Sequence, residues 1–162
     1  MKKRWAEIRK IINELSKDDF LDLFKEIYTL NKTNVNYLHA KFFNDKETID
    51  GYKKQISNYL IVEPYEKKPQ LASAKKVISD FKKANVCVIS LLELIVCYLE
   101  CGLYMASDFG YYESNFYGSM QSMFRMAIKI IHENTNETLT FKNKLMEIKT
   151  SFLRAGWEIQ EG

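Results

Sequence analysis

Val88-Ile89-Ser90-Leu91-Leu92-Glu93-Leu94-Ile95-Val96-Cys97-Tyr98-Leu99-Glu100-Cys101-Gly102 is the stretch that decides the fold class. Residues 88–101 are apolar nearly all round a helix, and only the centre of a packed core hides such a surface. Gly102 is suited to end that helix. The wider run from Val86 to Met105 reaches the length of about 20 residues that spans a bilayer. Glu93 and Glu100 inside it are costly in lipid, so the expectation is a buried bundle helix and no membrane.

The flanks repeat the helical pattern. On the N-terminal side, Leu71, Ala74, Val77, Ile78 and Phe81 share one face, with a turn expected over residues 84–87. Before it, residues 62–69 hold both prolines, Pro64 and Pro69, and read as the one long connection. Ile49, Tyr52, Ile56, Tyr59 and Leu60 form another stripe, whose first turn Gly51 weakens. A short helix is expected from Asn34 through Phe43, broken at Asn44-Asp45. Upstream, Phe20, Leu23, Phe24, Ile27 and Tyr28 follow i, i+3, i+4, i+7, i+8, and the helix should stop near Asn31. Ser16 with Asp19 makes a capping box in its Asp form, with Leu15 and Phe20 as the hydrophobic staple. Trp5, Ile8, Ile11, Ile12 and Leu15 give the first helix its face.

On the C-terminal side, residues 103–112 read as aromatic and irregular. A long helix is expected over about 113–133, with Phe116, Met120, Met123, Ala127 and Ile130 inward. Asn134 to Asn136 break it. The last helix carries Phe141, Leu145, Ile148 and Phe152, ends at Ala155-Gly156, and leaves Trp157 in a short tail.

No alternating strand pattern survives. The expected fold class is all-α: an irregular bundle of about seven to nine helices, built of antiparallel helix hairpins, with HEAT-like stacking as its more ordered version. With 162 residues, 46% of them apolar, and only 6 Gly and 2 Pro, one helical domain over 1–162 is expected, and sandwiches, barrels and Gly-rich phosphate loops are excluded. Three cysteines, an odd number, in a chain able to bury its own core point to a reducing, cytoplasmic setting.

The charge is uneven. Residues 53–83 hold eight lysines and three acids, a net of +5, while residues 84–124 hold four acids and no Lys or Arg, a net of −4. Lys53, Lys54, Lys75, Lys76, Lys82 and Lys83 form a candidate phosphate-binding ridge, the basis of a nucleic-acid reading. Against it, the segment has no Arg, the usual bidentate phosphate reader, and Asp80 is spaced to neutralise Lys76 and Lys83. The acidic half is also aromatic. Tyr98, Glu100, Tyr104, Asp108, Tyr112 and Glu113 form a candidate partner surface, since aromatics carry most interface hot spots. This supports a non-enzymatic interaction module that binds another protein or itself.

Glu93, Cys97 and Glu100 share one polar stripe, but lack the His and the spacing of a metal site. His39 and His132 have no Ser, Asp or Cys partner nearby in sequence, and no catalytic or nucleotide-loop motif occurs. No catalytic residue, metal or cofactor is therefore expected.

Tyr52-Lys53-Lys54-Gln55-Ile56, Ala74-Lys75-Lys76-Val77-Ile78-Ser79-Asp80-Phe81-Lys82-Lys83, Tyr98-Leu99-Glu100-Cys101-Gly102, Phe109-Gly110 and Phe116-Tyr117-Gly118-Ser119-Met120-Gln121-Ser122 resemble, over roughly residues 15–131, a family of small uncharacterised bacterial helical proteins. The resemblance implies an all-helical bacterial cytosolic protein and no mechanism. Its motif positions here are Tyr52, Lys53, Lys75, Lys82, Glu100, Gly102, Gly110, Phe116, Tyr117 and Ser122. Tyr111 departs from the acid expected after Phe-Gly, which weakens an acidic site at 108–113.

Overall fold

The computed structural model describes residues 2–43, 45–63, 66–84, 87–134 and 138–160. The breaks expected at Asn44, at Pro64, over 85–86 and over 135–136 lie outside the described residues. The rest folds as eight helices with no strand among the described residues: α1 (Lys2–Glu14), α2 (Lys17–Leu30), α3 (Lys32–Phe42), α4 (Lys46–Leu60), α5 (Leu71–Lys83), α6 (Val88–Phe109), α7 (Ser114–Glu133) and α8 (Leu139–Arg154).

The caps explain several of the boundaries. Ser16 accepts from the Asp19 backbone N–H at 3.1 Å, and its hydroxyl donates to the Asp19 carboxylate at 2.6 Å. Asn31 alone separates α2 from α3. Its side chain accepts from the Asn34 N–H at 2.9 Å, so the third helix opens at Lys32, earlier than the Asn34 expected. Asp45 caps α4 through the Thr48 N–H at 2.8 Å. That bond holds the Asp45 carboxyl below its ordinary range.

Helix α6 is the axis of the core, and α4, α5, α7 and α8 all pack against it. Helices two apart also touch (α3 with α5, α4 with α6, α6 with α8), the neighbour pattern of stacked helix pairs. The HEAT-like expectation goes no further than that pattern. α6 is long and apolar enough to cross a membrane, but most of it is buried inside the bundle.

One boundary differs from the sequence reading in an informative way. The helix does not stop at Gly102; it runs on through the segment expected to be irregular and ends at Gly110, which is left-handed at φ 60°. Gly102 has a different task. A Cβ there would lie 2.1 Å from the Met120 sulfur, so the glycine lets α7 come close to α6. Beside it the Tyr98 hydroxyl and Ser119 Oγ are 2.6 Å apart, a buried cross-link between the same two helices.

The tail is core as well. Gly156, at φ 85°, turns the chain back, and Trp157 is buried. Its ring stacks on Phe152 at 5.5 Å and meets Phe116 and Tyr117 edge-on at 5.8 and 5.4 Å. Residues 158–160 are then tied to α7: the Tyr117 hydroxyl donates to the Glu158 carbonyl, and the Gln160 N–H donates to Gln121 at 2.9 Å.

Candidate functional site

Of the aromatic, acidic surface expected around 98–117, Glu100, Tyr104, Asp108, Tyr112 and Glu113 are exposed, and Tyr98 is not. Tyr98 is fully buried between α6 and α7, and burial pushes its hydroxyl up to about 12. Glu100 binds Lys144 of α8 at 2.8 Å, which raises that lysine above its ordinary value. Glu113 binds Lys68 at 2.8 Å, and this hydrogen bond and one from Tyr111 lower its carboxyl. Tyr104 packs edge-on against Phe109 at 5.5 Å. The exposed Tyr112 donates to the Ala155 carbonyl at 3.0 Å and tilts against Trp157. Asp108 is exposed. Of the neighbouring rings, Tyr112, Phe116 and Tyr117 pack against Trp157, and Tyr111 packs edge-on against Phe116.

The lysine ridge is likewise interrupted. Lys53 binds Glu93 at 2.5 Å; burial opposes the ammonium, but the carboxylate outweighs it and raises the lysine. Lys76 and Lys83 both bind Asp80, at 2.5 and 2.7 Å. Lys75 is half-buried, and burial lowers it. Of these six lysines, only Lys54 and Lys82 are exposed with no ion pair among the described residues. The basic and acidic segments are therefore laced to each other: α4 to α6 through Lys53–Glu93, and the 61–70 connection to the start of α7 through Lys68–Glu113. Isolated surface pairs add little stability, but they remove the free cations a phosphate backbone needs.

The stripe of Glu93, Cys97 and Glu100 resolves the same way. Both glutamates are in ion pairs. Cys97 and Cys101 sit 4.0 and 3.3 Å from the Ser57 hydroxyl, and Cys97 donates weakly to the Lys53 carbonyl. The adjacent Cys101 thiol and burial push the Cys97 thiol up, while the hydrogen bond from Cys97 lowers Cys101 to about 7. Among the described residues no cluster of His, Cys, Asp or Glu is arranged to hold a metal ion.

A polar cleft of about 360 Å³ lies between α3 and α4, and a smaller one of about 160 Å³ opens toward α5. Asn36, Gln55 and Tyr52 line both. The Asn36 amide donates to Gln55 at 3.4 Å. Tyr52 is buried edge-on against Phe81 at 4.9 Å, and its hydroxyl has no hydrogen-bond partner among the described residues. Burial, with the Asp80 charge nearby, pushes that hydroxyl up to about 12.

The largest unsatisfied feature is apolar and was not expected. Helices α1 and α2 stand apart from the core, while α3 packs against α4 and α5 and buries Ala40 there. α1 packs extensively on no other helix, and α2 packs only on α3. Trp5, Ile8 and Ile11 on α1, Phe20, Leu21, Phe24, Ile27 and Leu30 on α2, and Phe42 and Phe43 at the end of α3 are between 37% and 75% exposed. Among the described residues neither α1 nor α2 has a buried side chain: their apolar stripes do not face a core. Between α2 and α3 they form an open groove of about 350 Å³, lined by Leu21, Phe24, Tyr28, Leu38, Phe42 and Phe43 together with Lys25 and His39. His39 holds the groove floor in place through a 2.9 Å hydrogen bond to the Tyr28 hydroxyl.

The chain matches no protein-family model, no curated protein and no solved structure.

Proposed function

We propose that the protein, which its motifs liken to small bacterial helical proteins of the cytosol, is a non-enzymatic helical interaction module. A core of α3 to α8 carries an arm, α1 and α2, and the α2–α3 groove docks a helix. One observation carries this reading: large apolar side chains on three consecutive helices are left uncovered. Monomeric proteins rarely expose such contiguous apolar surface without a partner to bury it. The aromatic segment at 98–117 is the poorer seat, since Tyr98 is buried and Glu100 and Glu113 are held in ion pairs. The nucleic-acid reading has three of its six lysines, Lys53, Lys76 and Lys83, in ion pairs and a fourth, Lys75, half-buried.

The test is Ile8→Asp with Ile11→Asp, followed by amide hydrogen exchange. Protection of α4 to α8 should stay as in the unmodified protein, because α1 contributes nothing to that core. Collapse of protection in α6 would make α1 a core element and overturn the reading. So would arm amides as slow to exchange as those of α6 in a monomeric wild-type protein.

A further inference from the structure

We propose that the cleft between α3 and α4 binds a small neutral molecule with a flat, amide-like edge, a purine base or its nucleoside, on the side chains of Asn36, Gln55 and Tyr52. This is a second binding function, and it stands or falls apart from the docking of a helix in the α2–α3 groove.

Three observations point to it. First, a buried polar group at the cleft has no partner. Tyr52 is 3% exposed and lines both this cleft and the smaller one beside it. Its hydroxyl makes no hydrogen bond among the described residues. Buried polar atoms in native proteins are nearly always paired. Burial keeps this hydroxyl protonated to about 12, so at neutral pH it is a donor in want of an acceptor.

Second, the two carboxamides at the cleft are weakly held. Asn36 on α3 donates to Gln55 on α4 at 3.4 Å, and Gln55 donates to the Gly51 carbonyl at 3.4 Å. Both bonds are longer than the usual N–H···O range of about 2.7–3.2 Å. Asn36 and Gln55 line both clefts, so their contact stands between the two. A ligand that replaces this long bond with bonds of its own gains a way to the Tyr52 hydroxyl. A carboxamide offers a donor and an acceptor side by side, which is the pairing that reads the N6 and N7 edge of adenine.

Third, the lining sets charge and size. Among the described residues, Asp45 and Glu47 line the larger cleft and no Lys or Arg does. A phosphate or carboxylate would be repelled there, so a base or nucleoside fits and a nucleotide does not. The Asp45 carboxylate is already engaged by the Thr48 N–H at 2.8 Å, which leaves less to hold a cation. His39 and Phe43 line the same cleft and offer rings for a flat ligand to stack on. At about 360 Å³ the cleft is at the small end of the range for ligand sites, about 300–1,000 Å³.

The experiment is isothermal titration calorimetry on the full chain with adenosine, and with adenosine monophosphate, spermidine and glucose as competitors for the class. Three proteins are compared: wild type, Gly51→Leu and Tyr52→Phe. Adenosine should bind the wild type with a dissociation constant below about 1 mM, and the other three more weakly. Gly51 lines the cleft, and a Cβ there would meet nothing within 4 Å. Gly51→Leu therefore fills the cleft without a clash; it should melt no lower than wild type and bind no adenosine. Tyr52→Phe removes the unpartnered hydroxyl. It should melt at or above the wild-type temperature, while its affinity for adenosine falls about fivefold or more. No binding to the wild type, binding unchanged in either variant, or tighter binding of the monophosphate, spermidine or glucose would each overturn the proposal. A Tyr52→Phe protein that melts well below wild type would show that the hydroxyl already has a partner, and would overturn it too.

Discussion

Replacing Gly102 by Ala adds one methyl group where α6 and α7 come closest. The ideal Cβ would fall 2.1 Å from the Met120 sulfur, 2.8 Å from its terminal methyl and 3.1 Å from its Cγ. Met120 is fully buried and has little room to swing away. Overpacking of this kind costs about 1–3 kcal/mol. Removing a mid-helix glycine returns about 1 kcal/mol of helix propensity. The net is a loss of about 0–2 kcal/mol, or a few degrees of melting temperature at this chain length. The sign should reverse when the obstacle is removed. In a Met120→Ala background, itself about 2–5 kcal/mol less stable, Gly102→Ala should stabilise by up to about 1 kcal/mol. Urea unfolding of the four proteins, with a constant denaturant slope, gives the cycle. An equal effect of Gly102→Ala in both backgrounds would show that the glycine is not there for the α6–α7 approach, and the reasoning fails.

Two further perturbations follow from the core. Tyr52 and Tyr98 ionise near 12 in the fold and near 10 when exposed. Between those values the unfolded chain has lost protons that the native one keeps, so stability is full below pH 10 and falls as the pH rises toward 12. The loss is about 2–3 kcal/mol per tyrosine. Urea midpoints at pH 9, 10 and 11 should fall in that order and fall less for Tyr98→Phe; a flat profile would contradict the burial. Trp157→Ala should cost about 3–5 kcal/mol, because it empties the slot between Phe152, Phe116 and Tyr117. A melting temperature within a degree or two of wild type would mean the tail is not part of the core.

The fold class was legible because helical periodicity is a local property. Stripes such as Phe20-Leu23-Phe24-Ile27 mark helices wherever they end up, and Ser16 and Asp19 announce a start by their own hydrogen bonds. What periodicity does not reveal is what a stripe faces. The apolar stripes of α2 and α4 look alike in sequence, yet α4 buries its stripe against α5 and α6 while α2 buries none of its own. Glycine has the same ambiguity: Gly102 and Gly110 both suit a helix end, and only the proximity of Met120 tells a close approach from a terminus. The candidate sites fared less well for a related reason. Tyr98 and Glu100 are neighbours in the chain, but two residues along a helix turn them to different sides, one into α7 and the other to Lys144. The separation of charge in the sequence was real, and the fold cancels it by setting Lys53 against Glu93 and Lys68 against Glu113.

The division between arm and core has an optical consequence. The chain has two tryptophans. Trp5 lies on α1 with 60% of its surface exposed, and Trp157 lies in the aromatic end of the bundle at 5%. One indole is wet and the other dry, so their emission is separable by wavelength and by quenching with iodide. A single unlabelled sample therefore reports two events at once: covering of the arm through Trp5, and melting of the core through Trp157.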